Sequence, residues 1–351
     1  MNRPLSLTLS HKGRGDFIPH APMPSRSIPT HPAQILLVKT SSMGDVIHNL
    51  PVVSDLKARF PDARIDWVVE EAFADIPRLH PDVREVFPVA LRRWKKALFL
   101  PATWREIGAA RRAIAAADYD VVLDTQGLVK SAWISRWAKG ARLGHNAKSA
   151  REPLAARAYD ATFFVPKTLH AVTRNRQLAA AALGYELPSE IASDIDYGLT
   201  GAQSENSRSA VFFTATSRAD KLWSEANWIN LGRALAARGL SLLLPGGNFE
   251  ERARADRIAR HIPNAQAIPP MRLADLATLI AHARFAVGVD TGLAHLAAAV
   301  KTPILALYTA TDPGLTGVLG ANWFKNLGGK GKPPTLQEAL TALMPFLPAN
   351  A

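Results

Sequence analysis

Short apolar runs and helical patterns alternate along this chain. Ile35–Val38, Ile65–Val69, Val86–Val89, Val121–Leu123 and Phe163–Val165 read as strands, and between them Val52–Arg59, Trp104–Ala117 and Leu128–Ala138 return apolar residues at helical spacing. That rhythm predicts a parallel sheet, because parallel neighbours need a crossover helix between them. A helix over Ala171–Leu183 leads into a polar stretch from Gly184 to Ser209, with Pro, Ser and Gly and little periodicity, which predicts a domain boundary. The rhythm then restarts, with strands at Ala210–Phe213, Leu240–Leu244, Ala265–Ile268, Phe285–Val289 and Ile304–Tyr308 and helices at Glu225–Ala237, Glu250–His261, Leu273–Ala281 and Leu293–Ala299. The expected fold class is α/β, with an N-terminal domain over 34–184, an interdomain stretch over 185–208 and a C-terminal domain over 209–351. The first 33 residues stand apart, with six prolines and no period, and are expected to be a disordered extension. Their apolar stretch Leu5–Leu9 is too short and broken for a signal peptide.

Composition narrows the classes. A chain of 351 residues, 48% apolar and 21% charged, can bury two α/β cores. No apolar run approaches the roughly 20 residues of a membrane-spanning helix. The absence of cysteine excludes disulfides, thiolate catalysis and Cys-based metal sites. A net charge of +12 calls for an anionic partner or surface, with acidic lipid and nucleic acid as the two options. The window Arg84–Arg112 concentrates that charge, with Arg92, Arg93, Lys95 and Lys96 in one cluster and Trp94, Phe99 and Trp104 among the cations. Such a patch can hold phosphorylated lipid headgroups with its rings at the interface, or the phosphates of a nucleic acid. The charges from Arg105 onward read as a solvated helix face.

Candidate chemistry lies just after two strands. Lys39-Thr-Ser-Ser-Met-Gly-Asp-Val-Ile-His-Asn-Leu-Pro51 follows Ile35–Val38, so Asp45 sits in a small-residue loop at the carboxyl end of a strand, where open α/β sheets keep their reactive groups. Asp45 reads either as a general base or as a helix N-cap. Phe285–Val289 is followed in the same way by Asp290-Thr-Gly-Leu-Ala-His-Leu296: Thr291 and Gly292 offer backbone N–H groups to a diphosphate, Asp290 can accept from sugar hydroxyls, and His295 lies one turn into the helix. Thr214-Ala-Thr-Ser-Arg-Ala-Asp-Lys221 suits either a phosphate-binding loop or an ordinary polar turn; opposite Asp290–His295 the phosphate reading is preferred. The triplets Asp118-Tyr-Asp120 and Asp194-Ile-Asp196 have the spacing of carboxylates that hold a divalent ion. One runs from a helix end into a strand and the other lies between domains, so neither is read as a metal site. His261 and His282 lack ligand spacing, and no Gly-x-Gly-x-x-Gly follows any strand, which argues against a nicotinamide enzyme.

Taken in order and spacing, Lys39–Pro51, Asp66–Glu71, Arg92–Lys96, Asp124–Ser131, Arg151–Leu154, Asp290–Leu296 and Thr311–Gly314 resemble the lipopolysaccharide heptosyltransferases from about Gln34 to the C-terminus. The wording is most similar to those members that add the first heptose to Kdo-lipid A. The resemblance implies a GT-B plan, two Rossmann-like domains facing across a cleft, and inverting transfer of heptose from ADP-L-glycero-D-manno-heptose to a Kdo hydroxyl, with Asp45 as base. It assigns Thr216, Ser217 and Lys221 to the ADP diphosphate, Ser217 standing where the family pattern has Thr. Glu251 would meet the ribose and Met271 the adenine, although a Glu in a first helical turn and a Met against core also have ordinary structural uses. Asp290, Thr291, Gly292 and His295 complete the donor side. Arg92, Arg93, Lys95 and Lys96 would pair with acceptor carboxylates and phosphates, with Gln126, Lys130 and Arg151 as further lining. The loop Tyr308–Gly314 departs from the family's Gly-Pro after Tyr. No cofactor, metal, nucleic acid or obligate protein partner is implied, and the expected location is cytoplasmic, peripheral on the inner membrane. The rivals are a related transferase acting on the next heptose and a non-catalytic polyanion-binding protein, which would gain nothing from a carboxylate at Asp45.

Overall fold

The structure, a computed structural model, describes residues 29–188, 195–201, 207–320 and 322–347. The N-terminal half is one parallel sheet of β1 (Gln34–Val38), β2 (Arg64–Glu70), β3 (Val83–Val89), β4 (Asp118–Asp124), β5 (Lys139–His145) and β6 (Ala161–Phe163), ordered β3-β2-β1-β4-β5-β6. The C-terminal half repeats it with β7 (Ser209–Phe213), β8 (Ser241–Pro245), β9 (Ala265–Ile268), β10 (Phe285–Val289), β11 (Ile304–Tyr308) and β12 (Phe324–Gly328), ordered β12-β11-β10-β7-β8-β9. In each sheet the strand order reverses direction once, between β1 and β4 and between β7 and β10, and ligands of open α/β sheets bind at that reversal. Register sharpens the point: Val38 pairs with Asp124 and Phe213 with Gly288, so the chain leaves both strands of each switch point at nearly the same level.

Burial explains why the central strands were legible. Ile35 to Val38 and Phe285 to Val289 lie covered on both faces, which is why they read as unbroken apolar runs. Full burial of each large aliphatic side chain there contributes roughly 1.5–3 kcal/mol. One apolar cluster crosses between the halves and includes Val46 and Ile47 from the first and Ala294 and Ala297 from the second, so the two halves share a packed seam.

Two strands lie outside the sequence expectation. In β5, Lys-Gly-Ala-Arg-Leu-Gly-His carries little apolar signal; Gly140 has φ +144, and at Gly144 a Cβ would stand 2.5 Å from a ring carbon of Tyr159, whose ring covers the strand in place of a side chain. The edge strand β12, Phe-Lys-Asn-Leu-Gly, is half solvated and equally quiet. The basic stretch Leu91–Lys96 forms a short helix. Residues 1–28 of the expected extension lie outside the described residues, as does Asp194; within the rest of it, His31 meets the Phe60 ring edge-on and Ala33 N–H donates to Asp120 at 2.7 Å. Asp120 thus anchors the start of β1, while Asp118 pairs with Lys139 at 3.2 Å on the surface.

Candidate active site

The loop after β1 turns at once into the helix Met43–Ile47. Ser42 is its N-cap residue and Asp45 its third position, closing a capping box in which Asp45 Oδ2 accepts from Ser42 N–H at 2.9 Å and Ser42 Oγ–H at 3.0 Å. The N-cap alternative for Asp45 is thereby corrected: Ser42 holds that position, and Asp45 Oδ1 keeps no partner among the described residues. Burial alone would raise the Asp45 carboxyl; the charge of Lys39, the two Ser42 donors and Arg151 outweigh it and hold the group below the usual carboxylate range. Arg151 stands 3.6 Å from Asp45 Oδ2. Lys39 is buried, its Nζ donating to Thr125 O at 2.9 Å and Asn175 Oδ1 at 3.2 Å, and burial brings its ammonium down to about 8.

In the second half the loop after β7 faces the loop after β10. Lys221 Nζ pairs with Asp290 Oδ2 at 2.7 Å, Thr216 Oγ1 donates to Asp290 O at 2.8 Å, and Thr311 Oγ1 donates to Asp290 Oδ2 at 2.6 Å. Thr291 is the N-cap residue of the helix Gly292–Ala299, and no side chain caps its first N–H groups, which stay available to an anion. Arg254 braces the β7 loop from beneath, donating to Thr214 O at 3.0 Å and Trp223 O at 2.6 Å. Glu251 also serves its own helix, because its Oε2 closes a capping box with Asn248 and accepts from Gly247 N–H at 2.8 Å.

The halves meet where these devices meet. At Gly44 a Cβ would stand 3.1 Å from Cδ2 of His295, and at Gly292 a Cβ would stand 2.6 Å from Sδ of Met43, so the helix carrying Asp45 lies directly on the helix carrying Gly292 and His295. Between them opens a cleft of about 650 Å³. Asp45 lines it together with every residue assigned to the donor, Thr216, Ser217, Lys221, Glu251, Met271, Asp290, Thr291, Gly292 and His295.

The acceptor group divides. Arg92 and Arg151 line the cleft, with the Arg92 guanidinium 5.2 Å over the Phe73 ring. Arg93 does not: it is committed to Glu71 at 3.1 Å and Glu106 at 2.8 Å. Lys95 and Lys96 are exposed on the same short helix, outside the cleft. Gln126 is buried and structural in its contacts, its Oε1 accepting from Thr40 N–H at 2.6 Å and Ser41 N–H at 3.2 Å. Lys130 donates to Ser41 Oγ at 3.1 Å.

Residues 107–341 match the family described as Glycosyltransferase family 9 (heptosyltransferase). The chain belongs to that family. Among heptosyltransferases, the lipopolysaccharide heptosyltransferase 1 of Pseudomonas aeruginosa is 45% identical over 292 residues, 82% of this chain and 81% of that protein. The lipopolysaccharide heptosyltransferase 1 of Escherichia coli K12 is 44% identical over 295 residues, 82% and 92% of the two chains. The solved structure of E. coli heptosyltransferase WaaC with ADP superposes with a TM-score of 0.82 at 40% identity, covering 89% of this chain and 99% of that one. WaaC with ADP-2-deoxy-2-fluoro heptose gives 0.79. The two like sheets are thus the GT-B plan of a heptosyltransferase. Three elements of this site went unassigned from the sequence. Lys39 opens the Asp45 motif, where no role was given to it; Thr311 orients Asp290 from 21 residues away; Arg254 sits in a helix pattern, and its partners are the Thr214 and Trp223 carbonyls and the Glu225 carboxylate.

Proposed function

We propose that this heptosyltransferase transfers L-glycero-D-manno-heptose from ADP-heptose to a Kdo hydroxyl of Kdo-lipid A, with inversion, during assembly of the lipopolysaccharide inner core. The observation that carries the reading is the contact between the Asp45 helix and the helix that Thr291 caps, which puts a carboxylate and an anion-binding helix N-terminus on one cleft. Asp45 Oδ1 takes the proton of the attacking hydroxyl, the freed oxygen forms a bond to the anomeric carbon, and the carbon–oxygen bond to ADP breaks on the opposite face with its electron pair passing to the diphosphate. A transition state of oxocarbenium character suits this displacement. Lys221, the hydroxyls of Thr216 and Ser217 and the free N–H groups at Thr291 and Gly292 stabilise the departing charge. A positioned base contributes about 10²–10⁴ in rate, and the low proton affinity of Asp45 keeps it ionised near neutrality.

Arg92 and Arg151 meet the acceptor's carboxylates and phosphates inside the cleft, and Lys95 and Lys96 extend the same charge outward. Beside them Leu98, Phe99, Leu100 and Trp104 are exposed large apolar side chains, Phe99 fully so. Basic residues next to exposed rings suit peripheral contact with an acidic membrane face, which is where a lipid-borne acceptor resides; we assign the enzyme to the cytoplasmic side of the inner membrane. Among the described residues no helix is long and apolar enough to cross a membrane. The test is incubation of purified protein with ADP-heptose and Kdo-lipid A, from which a mass increase of one heptose on the lipid with release of ADP is expected. ADP release without lipid modification, or modification only of a lipid that already carries a heptose, would overturn the acceptor assignment.

A further inference from the structure

The chemistry above leaves the ring of His48 unused. His48 is the C-cap residue of the helix Met43–Ile47 and is 3% exposed; its Nε2 lies 3.1 Å from Nδ1 of His295, which is 5% exposed and belongs to the opposite half. The two rings meet edge to face, centroids 4.4 Å apart. One of the two nitrogens must donate and the other accept. If His295 donated from Nδ1, His48 would carry its own proton on Nδ1, and that atom is buried with no partner among the described residues. A buried orphan N–H is costly, whereas an unpaired acceptor is better tolerated. The favoured arrangement has His48 donating from Nε2, which leaves its Nδ1 as a bare lone pair and puts the proton of His295 on Nε2.

Surrounding groups support two neutral rings. Burial takes His48 well below the usual imidazole range, with His295, His170 and Lys39 adding to the effect. Burial also brings His295 down to about 4; Asp290 and Asp45 act in the other direction without overcoming it, while His170 and Lys221 reinforce it. His170, 5.5 Å from His48 between centroids, offers it no hydrogen bond. A carbonyl only accepts, so His170 Nε2 donates to Gly317 O at 2.9 Å and its Nδ1 accepts from Val172 N–H at 3.2 Å. His295 Nε2 lies 3.5 Å from where a Gly44 Cβ would stand, and His295, His48, Gly44 and Asp45 all line the cleft.

We propose that His48 is a positioning residue: its Nε2–H fixes His295 as the Nε2–H tautomer, so that the sugar of the nucleotide sugar meets a neutral N–H donor set from the opposite domain. The inference rests on the reading of His295 as part of the donor site. It predicts that the heptose, and not the nucleotide, senses His48.

Long-range ¹H–¹⁵N NMR of the imidazoles in the full-length wild type at pH 7 reads the tautomer directly. Protonation of His295 at Nε2 alone is expected; a His295 protonated at Nδ1, or an imidazolium, would overturn the proposal without any variant. Calorimetry of ADP and ADP-heptose then tests the consequence. His48→Phe should weaken ADP-heptose about tenfold, the loss of one hydrogen bond, and leave ADP within about twofold. His48→Gln, whose side-chain amide can donate from a similar place, should recover most of the loss. A wild-type preference for ADP-heptose over ADP that survives His48→Phe overturns this inference alone, and absence of that preference in the wild type overturns the donor-site reading as well.

Discussion

Removing Lys221 should separate the diphosphate from everything else the cleft binds. Lys221 Nζ lies 2.7 Å from Asp290 Oδ2, with the two side chains only 17% and 12% exposed. An ammonium has three donors, and Asp290 occupies one, so Lys221 can pair with Asp290 and still reach a phosphate oxygen. Lys221→Ala deletes one charge-assisted hydrogen bond to the donor, about 1.5–3 kcal/mol. At about 1.4 kcal/mol per decade this weakens ADP by roughly 10- to 150-fold. The variant also leaves Asp290, held by Thr311 at 2.6 Å, as an uncompensated carboxylate beside an incoming anion. Lys221→Ala combined with Asp290→Asn removes that repulsion and should bind ADP better than Lys221→Ala alone. Isothermal calorimetry at fixed ionic strength measures both, with adenosine as the control, because a ligand without phosphate should bind wild type and variant equally. ADP affinity within about twofold of wild type, or equal losses for ADP and adenosine, would remove Lys221 from the diphosphate site.

Three further outcomes follow from the geometry. Replacing Arg92, Lys95 and Lys96 by Gln should raise the acceptor KM steeply and leave ADP affinity unchanged, whereas Arg93→Gln, its guanidinium already committed to Glu71 and Glu106, should shift that KM least; steady-state kinetics on Kdo-lipid A decide. Lys39→Met removes the leading positive influence on Asp45, so the acid limb of the kcat–pH profile should move upward from below the ordinary carboxylate value of about 3.9; an unmoved limb would mean that Asp45 is not the titrating base. Gly292→Ala places a methyl 2.6 Å from Met43 Sδ and should lower kcat by displacing the Asp45 helix, at an overpacking cost of about 1–3 kcal/mol in stability; recovery of kcat by adding Met43→Ala would identify that contact as the cause.

What could be read from the chain was what local order expresses. Both switch points were visible because β1, β7 and β10 are largely buried on both faces and end in loops of small and polar residues, and Asp45, Lys221 and Asp290 were found there for that reason. The capping box at Ser42 and Asp45 was also present as a spacing, since a Ser followed three residues later by an acidic residue marks a helix start. What lay hidden depends on distant partners. Arg93 pairs with Glu71 and Glu106 because the fold brings those carboxylates to it, and Gln126 turns inward because the Thr40 and Ser41 amides, 86 and 85 residues away, need an acceptor. The pairing of His48 with His295 spans 247 residues and leaves no local trace. β5 was silent partly because the Tyr159 ring does the covering over Gly144 that a glycine cannot.

The mechanism turns on Asp45 as the base, and Asp45→Asn tests it most directly. Asn keeps an oxygen to accept from Ser42, so the capping box, the melting temperature and ADP-heptose affinity should stay close to wild type, but the amide cannot take the proton. Turnover on Kdo-lipid A at saturating substrates should fall by about 10²–10⁴ with donor binding by calorimetry unchanged. Turnover near the wild-type value in a folded, donor-binding Asp45→Asn protein would contradict the mechanism.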